Sequence, residues 1–240
     1  MRKNILHQII DLLFPRFCPM CGNRLQGEEE IICMKCNLHL PRTDTWLLPY
    51  ENEMAKMFWH QIPIEKSCAL FYYQSHSATS NLIYQLKYYN HQEIGFYLGK
   101  LLAEEGKRVQ FFDDIDGIVP IPLAKERKRQ RGYNQCEAIA QGIQEATGLP
   151  IIKNLVRRNI FVESQTHKNR WDRRENVSHV FELGEKYKGH TENIEEMRGK
   201  HLLIVDDVCT TGATIISCCQ EMVSIPHIKF SVLTAGWTKG

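Results

Sequence analysis

The chain has 240 residues, 43% of them hydrophobic and 24% charged, a balance that supports one large core or two small ones and excludes an intrinsically disordered chain. Its 15 glycines and 9 prolines are ordinary usage, so collagen-like and low-complexity classes are excluded too. The net charge of +2 hides an uneven distribution. Lys125 to Arg131 holds five cations against Glu126 alone, and Arg157 to Arg174 holds six against Glu163 and Asp172. Such runs are solvated faces as often as they are binding surfaces; together they become a place for an anionic partner if both border one cleft.

The basic start imitates a signal peptide, but His7, Gln8 and Asp11 interrupt any apolar segment. Ile5, Ile9, Leu12 and Leu13 instead share one helical face, which predicts a short amphipathic helix ending before Pro15. No run approaches the ~18 apolar residues of a spanning helix, so no membrane insertion and a cytoplasmic location are expected.

Four of the nine cysteines then form a pattern, Cys18-x2-Cys21 and Cys33-x2-Cys36. Paired knuckles of this kind bring four thiolates around one ion, and a structural zinc is the expected reading; a redox dithiol and four unrelated thiols are the alternatives. Gly22 follows the first knuckle, where the turn favours a positive φ. The organisation expected is residues 1–45 as an N-terminal helix and zinc-ribbon-like module, 46–112 as a connector and helical region, and 113–240 as the core.

Ser67 to Tyr73 reads as a strand. Leu82, Ile83, Leu86 and Tyr89 stripe a helix, and Ile94 to Leu102 stripe another that should stop at Gly106. Ile115 to Val119 is a strand, and a helix with Asn134 as cap and Glu137 as capping-box partner should end at Gly148. Val177 to Leu183 alternates like a strand. His201 to Val205 and Ile228 to Leu233 read as buried strands around a helix over Ala213 to Ser224, in which Cys218 and Cys219 are small core residues. Apolar strands alternating with helices predict an α/β fold, a parallel sheet flanked by helices with ligands at the strands' carboxyl ends.

The most informative stretch is Leu202-Leu-Ile-Val-Asp-Asp-Val-Cys-Thr-Thr-Gly-Ala-Thr214. A buried strand ends in Asp206 and Asp207, and a turn rich in hydroxyls leads into a helix. Carboxylates at a strand end can accept from a vicinal diol or approach a hydrated Mg²⁺, while backbone N–H groups at a helix start suit a phosphate monoester. The competing reading is that Asp207 and a threonine only cap the helix. Cys209 has no assignable base and reads as non-catalytic.

These 13 residues resemble the phosphoribosyl pyrophosphate (PRPP) motif of type I phosphoribosyltransferases. The wider pattern resembles the ComF group of competence-associated proteins: the four-cysteine module, Leu86-Lys87-Tyr88, Val119-Pro-Ile-Pro-Leu123, Arg127, Arg131-Gly-Tyr-Asn-Gln135, Arg157, Ser164-Gln165, Arg173, Asn176 and Phe181. The resemblance implies a type I phosphoribosyltransferase-like fold and a phosphoribosyl-transferring enzyme with unassigned acceptor. Asp206 and Asp207 would hold the ribose hydroxyls as catalytic residues. Thr210, Thr211, Gly212, Ala213 and Thr214 would hold the 5′-phosphate. Arg127 and Arg131 would meet PRPP, Arg157, Gln165 and Arg173 would belong to a flexible loop, and Mg²⁺ would accompany PRPP. A second reading makes the chain a non-catalytic single-stranded DNA-binding factor of DNA uptake, working with competence-machinery proteins, its basic segments interleaved with Tyr133, Phe161 and Trp171.

Overall fold

The computed structural model describes residues 14–158 and 180–239; the expected N-terminal helix, Gln165, Arg173, Phe161 and Trp171 lie outside them. In the cysteine-rich front, α1 (Met34–Leu38) is a short helix capped by Cys33. A 3-10 turn (Thr45–Leu47) and α2 (Glu53–Lys56) follow. Beyond them come β1 (Ile64–Tyr72), α3 (Ala78–Tyr88), α4 (Gln92–Arg108), β2 (Gly117–Pro120), α5 (Lys125–Arg131) and α6 (Gln135–Thr147). The chain closes with β3 (Val156–Arg158), β4 (Phe181–Leu183), α7 (Thr191–Glu195), β5 (His201–Cys209), α8 (Ala213–Gln220) and β6 (Lys229–Trp237).

Four strands form one parallel sheet in the order β1-β6-β5-β2. Its central strands are buried almost end to end, because both faces are covered and side chains alternate between them. Leu203, Val205, Leu233 and Ala235 pack in one core with Leu82 and Leu86 of α3, Leu98 of α4 and Ile139 of α6. Leu202, Ile204, Phe230 and Val232 face a second core with Met54, Phe58 and Ile215, and with Cys218 and Cys219 of α8. Met20, Leu25, Ile32 and Leu40 of the cysteine-rich front join the first core, so the front shares the apolar interior of the sheet.

Several local expectations need correction. Gly106 does not end α4, which continues to Arg108; a Cβ at Gly106 would stand 2.4 Å from the Phe112 ring, so the glycine serves close packing. Asn134 does cap α6, through Cys136 N–H, and Gly148 closes it in the left-handed region at φ +78°, but Glu137 forms no capping box and pairs with Lys128 at 3.2 Å. The 125–131 charge run is itself a helix, α5. Of the strand expected to end at Leu183, the described part is β4, which pairs antiparallel with β3 outside the main sheet. Among the described residues no helix is long and apolar enough to cross a membrane.

Candidate functional site

Strand alternation splits the two adjacent carboxylates of β5. Asp207 follows Leu203 and Val205 onto the face covered by α3, where Lys87 Nζ lies 3.0 Å from its Oδ1. Asp206 points the other way, its Oδ1 3.3 Å from the Cys136 thiol and 2.8 Å from the Asp207 backbone N–H. Burial and then the charge of Asp207 raise the Asp206 carboxyl to about 7. Burial alone would lower the Lys87 ammonium, but Asp207, with Asp206 behind it, turns the net shift upward.

Behind the acids the chain makes an open bend. Gly212 sits at φ +74° with Phe58 3.0 Å from where a Cβ would be, so only glycine fits there without strain. Thr210, Thr211, Ala213 and Thr214 are exposed, and the N–H groups of Thr210 and Thr211 meet no acceptor among the described residues. The Gly212 N–H turns to the Cys209 sulfur, and burial holds that thiol up at about 12, which suits an inert core cysteine.

Carboxyl ends of the neighbouring strands frame this bend. On one side β2 leads into α5, where Arg127 lies on the exposed surface and the Arg131 guanidinium stacks 5.2 Å from the Tyr88 ring centre. On the other, Tyr72, Tyr73, Thr238 and Lys239 line a cavity of about 750 Å³, and Thr238 N–H donates to the Cys209 carbonyl. Arg157 is in β3, its Nε 2.6 Å from Glu182 Oε1 and its guanidinium paired with Glu185, so its charge is engaged within the hairpin.

The four cysteines of the front converge. The sulfurs of Cys18, Cys21, Cys33 and Cys36 all lie within 4.8 Å of one another, with Cys21 and Cys33 3.7 Å apart. Sulfurs bonded tetrahedrally to zinc at ~2.3 Å stand ~3.8 Å apart, so this donor set could hold a structural zinc. Gly22 turns the first knuckle at φ +73°.

One further arrangement imitates a catalytic triad. At the opposite end of the sheet, His201 Nδ1 lies 3.2 Å from Asp114 Oδ2 and its Nε2 2.8 Å from Ser231 Oγ. Asp114 reaches the surface and also pairs with buried Lys66, but Ser231 is fully buried and His201 nearly so, so the hydroxyl that would act as nucleophile is closed to a substrate.

With the strand-end site and the cysteine cluster described, comparison with known proteins identifies the relatives. The chain is 30% identical over 209 residues to the DNA utilization protein YhgH of Salmonella typhi, covering 86% of this chain and 77% of that protein. It is also 30% identical over 139 residues to Competence protein F of Haemophilus influenzae. The chain belongs to the ComF family.

Within the ComF family the coverage differs. The match takes in 58% of the Haemophilus protein, less than two thirds of its length. Competence protein ComFC of Bacillus subtilis is 32% identical over 98 residues, 41% of this chain and 34% of that protein. No family model matches the chain. For this ComF family member, a four-stranded parallel sheet flanked by helices and a front four-cysteine cluster are thus established, as expected.

Two groups near the site had no functional assignment from sequence, and Tyr89, expected on the apolar stripe of α3, is instead exposed just past the helix end. Lys87 was visible only as part of Leu86-Lys87-Tyr88, with no role, because its partner is remote in the chain. Tyr84, Tyr88 and Tyr89 form an exposed aromatic cluster, with ring centres 4.8 Å apart for Tyr84 and Tyr88 and 5.8 Å for Tyr84 and Tyr89. Tyr133, expected to stack on a nucleic acid strand, is instead buried with its hydroxyl donating to the Leu86 carbonyl.

Proposed function

We propose that this ComF protein binds PRPP at the carboxyl end of β5 and transfers its phosphoribosyl group. One observation carries the reading: behind an acidic strand end stands an uncollapsed bend whose Thr210 and Thr211 N–H groups lack internal acceptors. Such amides, at the start of α8, suit a phosphate monoester, with the Thr210, Thr211 and Thr214 hydroxyls as further donors beside the Gly212 and Ala213 backbone. The Asp206 and Asp207 oxygens left over from Cys136 and Lys87 would accept from the ribose diol. Arg127 and Arg131 on α5, one strand away, would face the diphosphate; Arg157, Gln165 and Arg173 remain proposed contacts of the loop around β3 and β4.

With Lys87 on one acid and the other raised by burial, the pair is a poor resident cage for a hard divalent ion. Mg²⁺ would therefore arrive with the diphosphate and neutralise part of its charge. In the transfer, the C1–oxygen bond would break with its electron pair leaving on pyrophosphate, an acceptor nucleophile would bond to C1, and the acceptor's proton would pass to the departing pyrophosphate. Fixed cations stabilise that leaving charge without a protein nucleophile. The cavity of about 750 Å³ beside Thr238 leaves room for the acceptor. Calorimetry with PRPP and Mg²⁺ tests the site: the Asp206→Asn, Asp207→Asn double variant should lose binding, and equal affinity in both proteins would overturn the reading.

The names of the relatives, DNA utilization and competence proteins, accompany a second reading. A cavity of about 720 Å³ lined by Arg16, Phe17, Tyr84 and His91 opens beside the tyrosine cluster, and α5 lies beyond Tyr88. Bases stacking on tyrosines with phosphates along a basic helix is single-stranded nucleic acid chemistry. Competence-machinery proteins would be the partners in that setting. Binding of an oligothymidylate should fall steeply with added salt and with Tyr84→Ala, Tyr88→Ala; salt-independent binding, or none, would dismiss it.

A further inference from the structure

Lys87 stands beside the strand-end acids without belonging to their strand or to the bend behind them. It is in the last turn of α3, a quarter exposed, and reaches across the sheet face to Asp207 Oδ1 at 3.0 Å. Nothing in the local structure of α3 requires a lysine there: its neighbours Leu86 and Tyr88 serve the core and the tyrosine cluster, and the helix end is closed by the Tyr89 N–H on the Gln85 carbonyl. An ammonium largely removed from water costs desolvation that a single carboxylate offsets only in part, so a second anion at this place would find a cation already held in position. Asp206 and Asp207 would meet only the diol, so they discriminate poorly among sugars that share a diol and a 5′-phosphate.

We infer that Lys87 is the specificity determinant that distinguishes a ribose carrying a diphosphate at C1 from one carrying a free hydroxyl, by turning from Asp207 to the diphosphate oxygens when such a sugar binds. This rests on the phosphoribosyl reading above. If the acids hold the hydroxyl on C2, the substituent on the adjacent C1 falls within reach of the Lys87 amine. Lys87 then exchanges one anionic partner for another, and Asp207 is released to accept from the diol. In the absence of the diphosphate the same ion pair competes with the diol for Asp207, which disfavours ribose 5-phosphate. α5 is placed differently: Arg131 lies over Tyr88 and would meet the outer end of the diphosphate.

The test compares PRPP with ribose 5-phosphate, both with Mg²⁺, by calorimetry on the full chain as wild type and as Lys87→Met, with thermal melting as the check on folding. Wild type should prefer PRPP. Lys87→Met should lose roughly 10- to 100-fold in PRPP affinity, the effect of removing a charge-assisted contact, while ribose 5-phosphate affinity holds or improves. Equal losses for both sugars, or an unchanged PRPP affinity, would overturn the inference while leaving the phosphoribosyl site standing. Wild type binding neither sugar would retire the site itself, and the role of Lys87 with it. A measurement that needs no variant is amine acylation of wild type followed by mass spectrometry. PRPP should shield Lys87 more than ribose 5-phosphate does, and equal labelling in saturating concentrations of either sugar counts against the inference.

Discussion

The Cys136 thiol lies 3.3 Å from Asp206 Oδ1, which also accepts from the Asp207 backbone N–H at 2.8 Å. Two weak or neutral donors thus serve a carboxylate that burial raises to about 7. Between the ordinary aspartate range and that value the folded chain holds a proton that the unfolded chain has lost. The stability tied to Asp206 is therefore fully present below about pH 4 and lost as pH rises to about 7. Asp206→Asn removes this dependence. Its melting temperature should exceed wild type at pH 8, on the order of 5 °C, with the advantage vanishing by pH 4. A difference that stays constant from pH 4 to pH 8 would contradict the assignment.

The Lys87 and Asp207 pair should behave as one unit in the folded protein without ligand. Removing either partner leaves a mostly enclosed charge alone, so Lys87→Met and Asp207→Asn should each destabilise. The double variant should lose less than the sum, with a coupling of about 1–2 kcal/mol in urea unfolding. Strict additivity would mean that the ion pair is not maintained in solution.

Metal removal addresses the front of the chain. If Cys18, Cys21, Cys33 and Cys36 hold one zinc, elemental analysis should return one ion per chain, and a strong chelator or Cys33→Ser should lower the melting temperature. Because Met20, Leu25, Ile32 and Leu40 belong to the core beneath the sheet, that loss should appear in the main unfolding transition instead of as a separate early one. Protein purified without metal and melting unchanged in chelator would exclude the zinc reading.

Helices α4 and α6 approach through glycines. A Cβ at Gly99 would stand 2.1 Å from the Ile139 carbonyl oxygen, and one at Gly142 2.0 Å from that of Phe96. Neither neighbour is a flexible side chain, so Gly99→Ala or Gly142→Ala must push the helices apart at about 1–3 kcal/mol or more. Both should lower the melting temperature by several degrees, whereas Gly148→Ala, with open space and a positive φ, should cost only about 1 kcal/mol.

What the sequence determined by itself is what neighbouring residues decide among themselves. Period-two apolar runs specified buried strands, glycines and caps marked the ends of α6, the knuckle spacing marked the cysteine cluster, and Asp206 to Thr214 marked the strand end and its bend. Contacts between distant segments decided the rest. Adjacent Asp206 and Asp207 read as one acidic pair, yet strand alternation sends them to opposite faces, one to a cysteine of α6 and the other to a lysine of α3. Tyr133 looked available for stacking until the Leu86 carbonyl claimed its hydroxyl, and only the β3–β4 hairpin shows that Arg157 has Glu182 and Glu185 beside it. Charge pairing and burial depend on which surfaces the sheet brings together, and that information is spread over the whole chain instead of residing in any one motif.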